Sequence, residues 1–177
     1  QYFTRVRVFG SDGSESNWSE TGKYETAKLS NADWKAVMIS PLSDKGPETR
    51  CPTVTKSFDL DDMPSSARLY ISALGLYQVY VNGKRVGNDE LTPGWTSYSD
   101  RLGYQTYDVS SFLKAGKNTI IVILADGWYR GRLFWPPNDK NSIYGDKIGC
   151  IAEIRIVNKD DTITTIATDN NWRSGLS

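Results

Sequence analysis

The dipeptide Asn82-Gly83, set between Val79-Tyr80-Val81 and Lys84-Arg85-Val86, is the sharpest local constraint in the chain. Both positions take positive φ at little steric cost, so the segment reads as a two-residue hairpin joining antiparallel strands. Similar punctuation recurs along the sequence. Thr53 to Leu60, Ala67 to Ala73, Leu76 to Val81, Tyr104 to Val109, Thr119 to Leu124, Ile148 to Val157 and Thr162 to Thr168 are short runs rich in β-branched and aromatic residues. Asp61-Asp62-Met63-Pro64, Leu74-Gly75, Lys117-Asn118 and Lys159-Asp160-Asp161 interrupt them. Trp34 to Ile39 reads as a further short strand, Ser40 to Pro52 as a proline-bearing loop, and Trp172 closes the last run. Thr119 to Leu124 is apolar on both faces and is expected at the buried centre of a sheet. Helical patterning is confined to one turn at Ser110 to Lys114. Many short strands with turns between them predict an all-β fold, an antiparallel jelly-roll-type β-sandwich.

The first residues have a different character. Tyr2 to Phe9 alternates as one strand, Ser11-Asp12-Gly13 makes a turn, and Lys23 to Thr26 is the expected partner. A lone hairpin is marginal in water, so this segment is expected to pack on the rest of the chain or on a domain that precedes it.

Composition removes much familiar chemistry. There is no histidine, which excludes Ser-His-Asp and Cys-His nucleophile systems and every His-containing zinc site. Two cysteines cannot build a Cys-only zinc site. Cys51 and Cys150 read as free thiols, Cys150 inside an apolar strand, with a disulfide between them as the second reading. The 21 basic and 21 acidic residues cancel, so no concentrated positive field recommends nucleic acid or an anionic membrane. No apolar run approaches the roughly 20 residues of a membrane helix.

Six Trp and ten Tyr suit either sandwich packing or recognition of a sugar or protein. Many of them gather in two loops. One runs from Val86 to Tyr98 and carries Asp89 and Trp95. The other begins directly after the most apolar strand and carries Trp128, Tyr129, Arg130, Arg132, Trp135, Tyr144 and Asp146. Aromatic faces stack on the C–H face of a pyranose, while Arg and Asp bond its hydroxyls, so the set is a candidate carbohydrate site. The alternative is that the aromatics cap the sandwich and the arginines pair with local carboxylates. Glycoside hydrolysis needs two facing carboxylates, and Asp89, Glu90, Asp126, Asp139 and Asp146 show no spacing that forces such a pair. Calcium, a hard cation, fits Asp and Asn oxygens better than zinc does, although no twelve-residue calcium loop is present.

Five ordered motifs carry a resemblance. They are Ala67-Arg68-Leu69-Tyr70-Ile71-Ser72-Ala73-Leu74-Gly75-Leu76-Tyr77, Val81-Asn82-Gly83-Lys84-Arg85-Val86-Gly87, Leu91-Thr92-Pro93-Gly94-Trp95-Thr96-Ser97-Tyr98, Tyr104-Gln105-Thr106-Tyr107-Asp108-Val109 and Gly127-Trp128-Tyr129-Arg130-Gly131. Together they resemble the N-terminal accessory β-sandwich of bacterial α-L-rhamnosidases, over about residues 32–172. The resemblance implies a galactose-binding-like sandwich at 28–177. The opening residues, with Arg5-Val6-Arg7-Val8 and Ser16-Asn17-Trp18-Ser19-Glu20, resemble the end of a fibronectin type III-like domain, a remnant at 1–27. It further implies a parent glycoside hydrolase whose inverting chemistry lies in a downstream (α/α)6 barrel, with no catalytic residue in this chain. In such enzymes some related sandwiches bind rhamnose with the help of calcium, and others only support the barrel. The expected partners are a rhamnose-type sugar of a plant or bacterial glycan and that barrel. Asp89, Asn138 and Asp139 are the candidate calcium ligands. Localisation is left open, with an extracellular or periplasmic site favoured.

Overall fold

The computed structural model describes residues 2–137 and 140–177. The chain divides into two compact units, one up to Trp34 and one from Lys35 onward. In the first, β1 (Tyr2–Thr4) pairs antiparallel with β2 (Gly22–Tyr24), and Tyr2 stacks on its register partner Tyr24. The expected strand from Tyr2 to Phe9 is thus regular only at its start. Beyond Thr4 the serines intervene. The Val6 and Val8 amides donate to the hydroxyls of Ser19 and Ser16, and the Ser19 and Ser16 amides donate back to the Val6 and Val8 carbonyls. Side-chain oxygens replace part of the backbone ladder, which accounts for the irregularity. Arg5 and Arg7 lie over the Trp18 ring at 4.5 and 5.0 Å.

The second unit is a β-sandwich of two antiparallel sheets. Its strands are β3 (Pro52–Leu60), β4 (Ser66–Leu74), β5 (Leu76–Val81), β6 (Lys84–Arg85), β7 (Gln105–Asp108), β8 (Gly116–Ala125), β9 (Gly149–Val157), β10 (Ile163–Ala167) and β11 (Arg173–Leu176). They assemble as a four-stranded sheet ordered β10-β9-β4-β7 and a five-stranded sheet ordered β11-β3-β8-β5-β6. Period-two alternation sends Ala67, Leu69, Ile71 and Ala73 of β4 and Cys150, Ala152, Ile154 and Ile156 of β9 inward from one sheet. Val54 and Phe58 of β3, Tyr77, Val79 and Val81 of β5, and Ile120, Val122 and Leu124 of β8 meet them from the other. Each large aliphatic side chain so buried contributes about 1.5–3 kcal/mol. As expected, β8 is central, between β3 and β5. Only its inner row is fully buried, however, because Ile121 and Ile123 lie half-exposed on the outer face.

Three local features direct the chain. Asn82 and Gly83 take φ of 51° and 79°, making the expected hairpin between β5 and β6. Asn82 also donates to the fully buried Asn118, whose side-chain amide in turn donates to the carbonyls of Lys114 and Gly116 and whose oxygen accepts from the Lys114 amide. Gly75 is the crossing point between sheets: β4 belongs to the four-stranded sheet and β5, one residue later, to the five-stranded one. Its φ is 111°, and a Cβ there would lie 2.3 Å from the Ala125 carbonyl oxygen.

Several expectations are corrected. Residues 34–39 form a strap, not a strand. The buried Glu153 carboxylate accepts the Lys35 and Ala36 amides at 2.7 and 3.1 Å, Val37 donates to the Thr168 carbonyl, and Ile39 makes one isolated bridge to Cys150. The expected turn at Ser110 to Lys114 is a 3-10 turn over Ser110–Phe112. Gly127–Arg130, read as loop, is a single helical turn, α1. The preferred reading of the cysteines needs no correction: both are free, Cys150 fully buried and Cys51 half-buried.

Gly75→Ala is expected to destabilise the domain by about 2 kcal/mol or more, from strain at positive φ combined with the backbone clash. Thermal or denaturant unfolding reads this; an unchanged midpoint would contradict the crossing-point role. Burial pushes the Cys150 thiol up to about 12, so a thiol reagent near neutral pH should label Cys51 alone in the folded protein. The second thiol should appear only on unfolding, as counted by intact mass.

Candidate functional site

The rigid end of β8 leads through Asp126 into α1, which places Trp128 and Tyr129 on consecutive positions of one turn. Across from it, the loop after β6 is pinned from behind. The Thr92 hydroxyl donates to the Tyr77 carbonyl at 3.0 Å, and the Tyr77 amide donates to the Thr92 carbonyl at 2.9 Å. These anchors bring together the aromatic residues that lie apart in sequence. Trp95 and Trp128 stack with ring centroids 5.9 Å apart and planes 7° from parallel. Trp95 Nε1 donates to the Tyr144 hydroxyl at 3.2 Å. Tyr98 meets the Tyr129 ring edge-on at 5.1 Å and the Tyr144 ring at 5.0 Å. Offset and edge-to-face pairs of this kind each contribute about 0.5–1.5 kcal/mol beyond area burial. Burial, with the neighbouring Tyr144 and Tyr129, raises the Tyr98 pKa. Its buried hydroxyl has no hydrogen-bond partner among the described residues.

Four of the expected site residues, Trp95, Trp128, Tyr129 and Tyr144, therefore form one cluster, and Tyr98 completes it. Trp135 is 87% exposed on the following loop, beside Phe134 at 70%. Arg132 is exposed and pairs with Glu48 at 2.9 Å. Asp146 is exposed, and its backbone carbonyl, not its carboxylate, makes the contact to Arg130.

Arg130 corrects the expectation most clearly. It is 1% exposed and serves as an internal clamp, out of reach of a sugar. Its Nε donates to Asp126 Oδ1 at 2.7 Å, and both terminal nitrogens grip the Asp44 carboxylate. The carbonyls of Gly46 and Asp146 accept two further bonds at 3.2 Å. One guanidinium thus ties the 44–46 loop, the end of β8, α1 and the 144–146 loop into one frame around the aromatic cluster. Burial opposes its charge, yet the bonds to Asp44 and Asp126 raise its pKa. Conversely, the Arg130 bond holds the Asp44 carboxyl below its usual value. Asp44 and Glu48 were not among the expected site residues, since they sit in the segment read as plain loop. The Asp126–Arg130 spacing of four was a usable signal, but only for a reader who had placed these residues on a helix.

Of the three candidate calcium ligands, Asp89 alone lies among the described residues. Asp89 accepts the Tyr107 hydroxyl at 2.9 Å and lines a depression of about 280 Å³ with Leu76, Gln78, Leu91 and Ile123. Among the described residues, no three His, Cys, Asp or Glu side chains come together to hold a metal. Asn138 and Asp139 lie outside the described residues.

Arg130→Met should cost about 3–5 kcal/mol, because it leaves two carboxylates beside a buried, unpaired position. It should also alter the near-ultraviolet circular dichroism of the Trp and Tyr cluster. Since the Asp44 pKa is lowered on folding, its share of the stability is present above the unfolded carboxylate value. That share is lost as pH falls through the lower folded value. The gap in unfolding free energy between wild type and Arg130→Met should therefore narrow in acid; a gap constant from neutral pH into strong acid would contradict the clamp.

The comparisons agree on the family. A profile of the alpha-L-rhamnosidase N-terminal domain matches residues 62–177. An alpha-L-rhamnosidase of Formosa agariphila is 35% identical over 97% of this chain, which covers 19% of that protein. Among solved structures, the alpha-L-rhamnosidase of Aspergillus terreus superposes with a TM-score of 0.92 at 39% identity, covering 98% of this chain and 20% of its own. The Streptomyces avermitilis alpha-L-rhamnosidase, solved in complex with L-rhamnose, gives a TM-score of 0.68 at 26% identity over 98% of this chain and 18% of its own. The chain spans about a fifth of the length of these relatives. With the profile covering most of the sandwich, and with the five ordered motifs in place on β4 to α1, the chain belongs to the alpha-L-rhamnosidase N-terminal domain family.

Proposed function

We propose that this accessory domain is non-catalytic and positions the catalytic barrel of a longer α-L-rhamnosidase chain, with its aromatic loops as the docking surface. One observation carries the reading. Trp95, Phe134, Trp135, Ile143 and Tyr144 are all at least 39% exposed, whereas the nearby arginines are engaged within the domain. Large apolar side chains left in water at this density mark an interaction surface. Aromatic residues are also the usual anchors of protein interfaces. A sugar site, by contrast, calls for polar groups free to meet hydroxyls, and Arg130 and Arg132 are already committed.

Recognition of a rhamnose-type glycan is the second reading. It is favoured by the parallel Trp95–Trp128 pair, in which Trp95 is 56% exposed and offers an aromatic ring for stacking on a pyranose, and by the L-rhamnose in the Streptomyces avermitilis relative. In that reading Asp89, Asn138 and Asp139 would supply calcium ligands.

Calorimetric titration of L-rhamnose into the chain, with calcium and again with a chelator, separates the two. Docking predicts no heat in either buffer at millimolar sugar. Heat that calcium strengthens and Trp95→Ala removes would replace the docking reading with the lectin-like one. In a longer chain that includes the barrel, Phe134→Ala with Trp135→Ala should make the domain easier to release by limited proteolysis. Unchanged release would count against docking through these loops.

A further inference from the structure

A second surface, on β3, β8 and β11, has the opposite character. These three strands lie side by side in the five-stranded sheet. Together with the turn before β11 they form a groove of about 330 Å³ lined by Thr55, Lys56, Ser57, Lys117, Asn171 and Arg173. Of its cations, Lys117 and Arg173 lie on the outer face with Thr55 and Ser57, whereas alternation sends the Lys56 side chain to the face of Ile120, toward Asp169. Register explains the convergence, since Arg173 lies opposite Thr55 on β3, and Ser57 and Asp59 lie opposite Thr119 and Lys117 on β8.

The charges are largely uncompensated. Lys117 and Arg173 are exposed and make no ion pair among the described residues, although Asp59 is the register partner of Lys117. Lys56 has one carboxylate nearby, Asp169, at a long 3.7 Å. Asp169 is chiefly engaged elsewhere, accepting from the Asn171 amide at 2.8 Å. That backbone bond is the main cause of its lowered pKa. Lys117 and Arg173 thus present two positive charges without an ion pair on one face of the sheet, and an arriving anion meets both.

The neutral groups say what surrounds the anion. Thr55 donates its hydroxyl proton to the Ile120 carbonyl, so its oxygen remains an acceptor. Ser57 shares a bond with Thr119 across the strands at 3.3 Å. Hydroxyl oxygens beside a cationic centre suit a charged group on a hydroxyl-bearing ring, and the volume suits a single sugar unit. The lining has no aromatic face on which a base could stack, and the chain has zero net charge. Both features disfavour a nucleic acid strand.

We propose that this groove binds the anionic substituent of an acidic sugar, a carboxylate or a sulfate ester. The site is separate from the aromatic loops and does not rest on the docking reading.

The test is to titrate D-galacturonate, N-acetylglucosamine 6-sulfate and neutral L-rhamnose separately into the 15N-labelled chain, following amide shifts. The expected result is saturable shifts at residues 55–57, 117 and 171–173 with one or both acidic sugars and none there with rhamnose. The arm that responds distinguishes carboxylate from sulfate. Affinity should fall about tenfold or more in Lys117→Gln with Arg173→Gln, and raising NaCl to about 0.5 M should weaken binding in the wild type. The salt arm needs no substitution, so it stands even if the double variant misfolds, and Lys117→Gln alone is a milder second variant. Absence of shifts in the groove, equal response to rhamnose, insensitivity to salt, or unchanged affinity in a folded double variant would overturn the proposal. So would preferential binding of a short oligonucleotide at the same residues. Trp95→Ala should leave these titrations unchanged, so failure here and failure of the aromatic docking surface are distinguishable.

Discussion

The apolar layer between the two sheets is the constraint on which the rest of the second unit depends. Rows from β4 and β9 face rows from β3, β5 and β8, and their buried apolar positions are filled by Ala, Cys, Val, Leu, Ile, Phe and Tyr, with Asn118 as the buried polar position on β8. A slip of one residue in any of these strands would turn its apolar row to solvent. Register is thereby held by burial, with Gly75 passing the chain from one sheet to the other and the Asn82–Asn118 pair securing the hairpin beside it.

The position of the aromatic cluster follows from that layer. β8 is the central strand of its sheet, so its last residue is among the least mobile points from which a loop can start. Asp126 and α1 inherit that rigidity, and Arg130 extends it sideways to the 44–46 and 144–146 loops. The buried ion cluster thus substitutes for regular secondary structure where the chain has none. A guanidinium suits the task because its planar fork can serve two carboxylates and two carbonyls together. The apolar loop face and the cationic groove are then carried on the same five-stranded sheet but with unlike chemistries, one suited to a protein surface and one to an anion.

Much of the fold was legible because it rests on short-range chemistry. Strand alternation, Asn82-Gly83, the Gly75 kink and the central place of β8 all follow from residue type and spacing. The failures have physical causes. Residues 34–39 look like a strand, yet Glu153 and Thr168, both more than 110 residues away in sequence, take their backbone bonds. Tyr2 to Phe9 alternates correctly, but serine hydroxyls displace part of its ladder. At the candidate site, the aromatic members could be named from the loops, whereas the partners of Arg130 could not. An arginine beside tryptophans looks the same whether it will bind sugar or be sealed beneath them, and only the fold of the 40–52 loop decides. The cationic groove was equally hidden, since Lys117 and Arg173 are far apart in sequence and share a face only through β3–β8–β11 pairing.

The central claim is that the exposed aromatic loops are a docking face framed by the Arg130 clamp. Hydrogen exchange on this chain alone and on a longer chain that includes the barrel tests it most directly. Docking predicts that amides in residues 91–98 and 131–136 gain protection in the longer chain, while those of β4, β8 and β9 stay as they are. Equal exchange of both loops in the two proteins would contradict the claim.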